Sequence, residues 1–263
     1  MAKGNGWRFD LLEVILFASI VGVMTWKIEH TRPRTSVLVT DEGESFAKKY
    51  GPNHDSLNLE EWLIRDFFSD RRGGFFVDVG ANDYKFGSNT YYLDTVLGWS
   101  GISVEPLRDF EAGYVTHRPR TRFRPFFVSD QSNTNAKIYL LATSSLVTSA
   151  DKDFTARYGK DAKEVTAPTI TLNDLLDSEH VASIDFMTMD IELWEPKALA
   201  GFDIERFKPE LVCVEAHPEV RQQILEYFGQ HHYVVVGKYL RADTENLYFT
   251  PLSSSPTRTT AVQ

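Results

Sequence analysis

Short apolar runs that stop on small or acidic residues recur along this chain, with amphipathic stretches of helix length between them. Phe75-Phe76-Val77-Asp78-Val79 breaks into Gly80-Ala81-Asn82-Asp83, and Gly101-Ile102-Ser103-Val104 ends at Glu105-Pro106. Phe123 to Val128 ends at Ser129-Asp130, the run at 184–189 ends at Asp190, and Leu211 to Val214 ends at Glu215. Tyr233 to Val236 and Leu247 to Phe249 are shorter runs of the same kind. Apolar runs bounded by turn residues read as strands buried on both faces.

Between them, Leu59, Trp62, Leu63 and Phe67 recur at helical spacing, with Ser56 or Asn58 as the cap and Arg71-Arg72-Gly73-Gly74 as the stop. Further helices are predicted over 88–97, 107–116, 173–177 (capped by Asn173), 195–200 and 220–228. Lys137 to Leu141 reads as an edge strand. Residues 142–166, rich in Ser, Thr, Ala and charge, read as a lid or insertion. The alternation predicts an α/β fold, a mostly parallel sheet with helices on both faces, over residues 56–252. A connector at 31–55 precedes it and a disordered tail at 253–263 follows.

The N-terminus carries a different pattern. Residues 11–28 read LLEVILFASIVGVMTWKI, a hydrophobic helix within a segment 1–30. A bilayer span wants about 20 largely apolar residues. This stretch approaches that with Glu13 at the interface, Lys27 snorkelling, and Trp7 and Trp26 as interfacial anchors. Trp26-Lys27-Ile28 offers no small-x-small cleavage site. The expectation is a single-pass membrane anchor; the alternative is an apolar helix packed on the domain or on a partner. Lys27, Arg32 and Arg34 after the segment, against Lys3 and Arg8 before it, put the main domain on the cytoplasmic side.

The 263 residues suffice for one large domain with appendages. One cysteine, Cys213, excludes an intrachain disulfide and sits in an apolar run, which favours a reducing compartment. With 37 acidic against 28 basic residues the formal charge is -9, the wrong balance for a general nucleic-acid binder. Arg118, Arg120, Arg122 and Arg124 form the one basic cluster, read as alternation on an edge strand in preference to a nucleic-acid patch.

Strand ends with polar tips are where α/β sheets bind ligands. Gly80 lets the backbone approach one. Asp78 can organise the loop or meet a cationic or hydroxyl-bearing group. Glu105, one helical crossover later, can accept both hydroxyls of a ribose, or can simply be an exposed acid at a strand end. Only one glycine stands at the turn, and Gly87 comes too late to complete G-x-G-x-x-G, which argues against a pyrophosphate cofactor. Asp190, Glu192, Glu215 and His217, with Glu195 following, converge if their strands are neighbours. Such a group can bind Mg²⁺ or Ca²⁺, provide a general base, or only organise loops.

At this point the chain, over about 57–252, resembles the FkbM-type methyltransferases, a branch of the S-adenosylmethionine-dependent class I fold. The blocks that carry the likeness are Gly74 to Asp83 with Ser88-Asn89-Thr90, Leu97 to Pro106, Thr171 to Leu176, Ile184-Asp185-Phe186, Gly201-Phe202-Asp203, and Phe207 to Glu215. The resemblance implies a Rossmann-like class I methyltransferase sheet. Asp78, Gly80 and Asn82 would belong to the loop around the methionine and sugar of S-adenosylmethionine, Glu105 would hold the ribose, and Ser129-Asp130 would lie near adenine. Asp190, Glu192, Glu215 and His217 would face the acceptor, directly or through a divalent cation. The metal itself is left unassigned.

Two positions depart from the family pattern. Tyr84 stands where a glycine usually follows the Asn-Asp pair, and could restrict the turn or fill part of the pocket. Asp-Val-Glu-Gly-x-Glu is here Asp190-Ile191-Glu192-Leu193-Trp194-Glu195. The expected function is O-methylation of a small-molecule or lipid-linked acceptor at a membrane, with no nucleic-acid partner. The alternative is a degenerate, accessory subunit of a membrane protein complex.

Overall fold

The computed structural model describes residues 41–141 and 144–252. In chain order the strands are β1 (Phe75–Val79), β2 (Ser100–Val104), β3 (Thr121–Arg124), β4 (Phe127–Val128), β5 (Asn135–Leu141) and β6 (Ser144–Ser149). They continue as β7 (Ala162–Ile170), β8 (Phe186–Met189), β9 (Leu211–Glu215), β10 (Tyr233–Val235) and β11 (Asn246–Pro251). Seven of them form one sheet in the order β10-β11-β9-β8-β1-β2-β3. The five from β9 to β3 run parallel, and β11 and β10 add antiparallel ladders at one end. The sheet is therefore mixed, as the expected α/β class I methyltransferase-like arrangement allows.

Strand alternation explains both layers. Val77, Val79, Ile102, Val104, Met187, Met189, Val212 and Val214 face one way and pack with helices Leu172–Ser178, Glu195–Ala200, Ile204–Phe207 and Arg221–Gln230. Phe76, Phe186, Leu211 and Cys213 face the other way, under helices Glu60–Phe68 and Tyr91–Thr95. Because side chains repeat every second residue, Asp78, Asp190 and Glu215 fall in register with that second face. They stand toward its carboxyl-terminal edge, where they line a cavity.

Several expected elements shift. The run from Phe123 to Val128 breaks at Pro125, which has no N–H for a ladder, so β3 and β4 belong to different sheets. The stretch read as a lid contains β6, helix Lys152–Ala156 and much of β7. Together with β4 and β5 it builds a second sheet, ordered β4-β7-β5-β6, in which β5 is interior rather than an edge. Thr171, not Asn173, caps helix Leu172–Ser178: its Oγ1 accepts from the Asp174 N–H at 3.1 Å. Asn173 turns away to accept from the Asp203 N–H at 2.8 Å. Ser56 does accept from a first-turn donor, the Glu61 N–H, at 3.1 Å. A helix, Asp41–Tyr50, occupies part of the stretch read as a connector.

Within the arginine run, β3 is the sheet's edge strand, and Arg122 and Arg124 both pair with Glu179. Arg118 lies before that strand and is buried.

The membrane expectation is corrected. Among the described residues no helix is long and apolar enough to cross a membrane, and the segment at 11–28 lies outside them. Single-pass anchoring, a location at the membrane, a lipid-linked acceptor and a membrane-complex partner are accordingly set aside.

Candidate functional site

Seven of the expected residues, Asp78, Gly80, Asn82, Glu105, Asp190, Glu192 and Glu215, line one cavity of about 240 Å³ at the carboxyl edge of the sheet. Its first end is built by the turn after β1. Gly80 has φ +83°, and a side chain there would place Cβ 1.8 Å from the Asp190 carbonyl oxygen. The two strand ends thus cross at contact distance, which glycine alone permits. On its other side the Gly80 N–H continues the β1–β2 ladder, donating to the Val104 carbonyl at 2.9 Å. Asn82 follows at φ +46°, a left-handed position that asparagine tolerates.

Glu105 is buried, and each of its oxygens accepts one backbone N–H: Asn82 at 3.1 Å and Leu107 at 2.9 Å. A carboxylate oxygen has two acceptor sites, so both remain able to take a hydroxyl. Burial pushes the Glu105 carboxyl up to about 7, against those two N–H bonds, and the nearby charge of Asp78 adds to the rise. Asp78 accepts from Thr90 Oγ1 at 2.6 Å. Burial pushes it up to about 6, while the Thr90 bond and the Arg118 charge work against that.

The acids after β8 and β9 gather at the other end. Asp190 is exposed to the cavity; the protein packed around it and the neighbouring charges of Glu215 and Glu192 hold its carboxyl above the ordinary range. Burial and Glu215 push Glu192 up to about 8. Glu195 is fully buried, accepts from the Ile191 N–H at 3.0 Å, and is pushed by burial up to about 7.

His217 does not line this cavity. It lines a second one of about 340 Å³, with Tyr158 and Arg221, and the two cavities share Glu192, Glu215 and Glu245. Its Nε2 lies 3.1 Å from Glu215 Oε1 and 3.2 Å from Glu192 Oε2. The bond to Glu215 chiefly, with Glu192 assisting, pushes His217 up to about 9 against its partial burial. Oxygens of both acids and a ring nitrogen of His217 lie within 4.8 Å of one another, close enough to contribute three ligands to one cation.

Ser129 and Asp130 are not among the residues lining either cavity. Ser129 Oγ accepts from Trp194 Nε1 at 3.2 Å, and Asp130 pairs with Lys197 at 3.0 Å. Phe127, two residues earlier, does line the main cavity.

The departures from the family pattern resolve differently. Tyr84 keeps an ordinary negative φ and stacks on His117 (centroids 4.6 Å apart) outside both cavities. Leu193 has φ +76°, following Glu192 at +55°. The backbone retains the conformation a glycine would favour, at a cost of about 1–2 kcal/mol for leucine. Trp194 packs beside Phe127, outside the cavities.

Residues not singled out in the sequence complete the walls. Asn89 Nδ2 donates to Thr188 Oγ1 at 3.1 Å beside Asp78, and both line the cavity. Glu60 and Asn246, joined at 3.3 Å, line its far side. Leu57, Phe86 and Leu146, exposed apolar side chains, also line it. The polar triplet Ser88-Asn89-Thr90 was the one signal for the first of these groups.

Residues 78–235 match the family model described as Methyltransferase FkbM domain. No curated protein matches the chain. Similar solved structures include a methyltransferase FkbM from Methylobacillus flagellatus KT, 13% identical, with a TM-score of 0.43. That match covers 79% of this chain and 57% of the other, so the chain spans little more than half of that protein. A TehB-like SAM-dependent methyltransferase from Corynebacterium glutamicum is 13% identical over 80% of this chain and 98% of its own, with a TM-score of 0.42. An O-methyltransferase from Bacillus cereus, solved in complex with SAH, is 12% identical over 87% and 96%, with a TM-score of 0.40.

Proposed function

The chain belongs to the FkbM methyltransferase domain family, and on that premise we propose that it transfers a methyl group from S-adenosylmethionine to a hydroxyl of a small acceptor. When bound, that cofactor supplies a methyl held on a sulfonium, open to in-line displacement. The residues present fit it. Glu105 keeps a free acceptor site on each oxygen for a pair of ribose hydroxyls. Asp78 offers a buried carboxylate to a cationic group, and Gly80 and Asn82 bring backbone to the cavity.

The observation that carries the reading is the shared wall. Glu192 and Glu215 line both the cavity that would hold the cofactor and the one lined by His217. An acceptor entering by the second cavity meets the first across those carboxylates. Glu192, pushed up to about 8, is poised to take the acceptor's proton near neutral pH. His217, pushed up to about 9, is protonated at neutral pH; it orients Glu192 and Glu215 and is not itself the base. Asp190 stands beside them on the wall of the first cavity. That Tyr84, Leu193 and Trp194 line neither cavity supports retained activity.

Calorimetric titration with S-adenosylmethionine tests the reading. A one-to-one isotherm is expected, and Glu105→Ala is expected to weaken binding about 100-fold, the loss of two bonds to a carboxylate. Neither heat nor thermal stabilisation at millimolar cofactor would sink it. The donor set of Glu192, Glu215 and His217 also supports a divalent cation on the acceptor side, which would displace the His217 proton on binding. Thermal melts with millimolar Mg²⁺ or Mn²⁺ are then expected to shift upward in the wild type and not in Glu215→Gln. Superimposable wild-type melts with and without metal would remove the cation.

A further inference from the structure

Resting on the cofactor reading of the main cavity, we propose that Arg118 is a positioning residue for the cofactor, acting through the Thr90 hydroxyl on the carboxylate of Asp78. Arg118 is 1% exposed. Its Nε donates to Asp94 Oδ2 at 3.0 Å, and Nη1 donates to the Tyr84 carbonyl at 2.9 Å. Nη2 donates to both the carbonyl and the Oγ1 of Thr90, each at 3.0 Å. A hydroxyl has one hydrogen. Since a guanidinium only donates, the Thr90 hydrogen is free to go to Asp78 Oδ2, 2.6 Å away. The direction of the chain is therefore fixed: Arg118 to Thr90 to Asp78.

Burying a guanidinium is costly, and an apolar side chain of similar volume would often hold the fold as well. What an apolar residue could not do is grip the two ends of one loop. The planar fork ties residues 84 and 90 to each other and to Asp94. The segment between them supplies Phe86, Gly87, Ser88 and Asn89 to the cavity wall. Arg118 thus sets where that wall stands and how the carboxylate beneath it points. Asp94 compensates the charge and also accepts from Thr121 Oγ1 at 2.6 Å.

Arg118 is the charged group that acts on Asp78, and the Asp78 charge in turn bears on Glu105 and Tyr114. The bond from Thr90 favours the ionised form of Asp78, ahead of the Arg118 charge. An ionised Asp78 attracts the ammonium of the cofactor's amino-acid part, so binding weakens as pH falls and the carboxylate is protonated. Removing the Thr90 hydroxyl moves that loss to higher pH.

The test titrates S-adenosylhomocysteine into the full chain between pH 5.5 and 8.5, with thermal melts of each protein alone. Thr90→Val removes the hydroxyl while leaving the Arg118–Asp94 pair. Its acid limb is expected to move from near pH 6 toward pH 7, giving a roughly threefold loss at pH 6.5 that grows to about eightfold at pH 5.5 and vanishes by pH 8.5. Thr90→Ser is expected to restore the wild-type profile, and Arg118→Lys, which keeps the charge without the fork, to follow Thr90→Val. A Thr90→Val profile parallel to the wild type would overturn the proposal, leaving Arg118 a structural residue. So would a Thr90→Ser protein that folds but keeps the displaced profile. Absence of binding to the wild type at every pH would instead bring down the cofactor reading itself, and this inference with it.

Discussion

Gly80→Ala is expected to cost about 3–5 kcal/mol of stability, a fall of roughly 10 °C in Tm, and to abolish cofactor binding. Two effects combine. At φ +83° any L side chain is strained, and the added Cβ would stand 1.8 Å from the Asp190 carbonyl oxygen. Backbone cannot swing aside as a flexible side chain does, so β1 and β8 must separate at their carboxyl ends. That separation pulls Asn82 from Glu105, to which its N–H donates at 3.1 Å. Gly73 is the internal control. It has a similar left-handed φ of +67°, but a Cβ added there would meet nothing within 4 Å, so Gly73→Ala is expected to cost only about 1 kcal/mol. Thermal melts of the two variants decide the matter: equal losses would mean that the close crossing contributes nothing.

That crossing was half legible in the sequence. A strand ending in Asp78-x-Gly80 announces a turn at a sheet mouth, and alternation alone puts Asp78 and Glu215 on equivalent faces of their strands. The acids at strand ends are readable because period two and a terminal position determine where they point. What fails is whatever depends on distant partners. Arg118 looked like one member of an arginine run, yet it reaches Asp94, Tyr84 and Thr90, and no local pattern marks such contacts. The break at Pro125 was visible, but its consequence was not. A proline removes a ladder donor without saying that the chain then enters another sheet. That second sheet also explains why residues 142–166 lacked a clear period, since β6 and β7 are short of buried positions on either face.

The family departures carry a finer lesson. Tyr84 and Leu193 both stand where a glycine was expected, and residue type alone treats them alike. Only the backbone separates them, with an ordinary φ at Tyr84 and +76° at Leu193. One substitution lets a ring stack on His117. The other is held in place against its own preference, immediately after Glu192, where local strain favours a site over stability.

The same trade governs pH. In the protein without cofactor, stability is expected to fall steadily as pH rises from about 5 to 9. Each of Asp78, Glu105, Glu195 and Glu192 is raised on folding, to about 6, 7, 7 and 8. A group whose folded value lies above its unfolded one contributes fully below the unfolded value. It loses that contribution as pH climbs through the folded one. For the carboxyls the loss begins above the ordinary range near 4 to 4.5 and ends near 8; His217, raised to about 9, extends it to higher pH. Glu105 is almost wholly buried, so solvent screens it little, and its rise alone corresponds to on the order of 3 kcal/mol. Tm measured from pH 5.5 to 9 should therefore drop by many degrees. Glu105→Gln, which cannot ionise, should show a shallower slope even though it forfeits one of the two backbone bonds. Saturating S-adenosylmethionine should raise Tm more at pH 8 than at pH 6, because its positive charges meet carboxylates that are then ionised. A Tm that stays level or rises across this range would show that these acids do not gather in the buried, crowded arrangement from which the site's affinity for a cationic cofactor is derived.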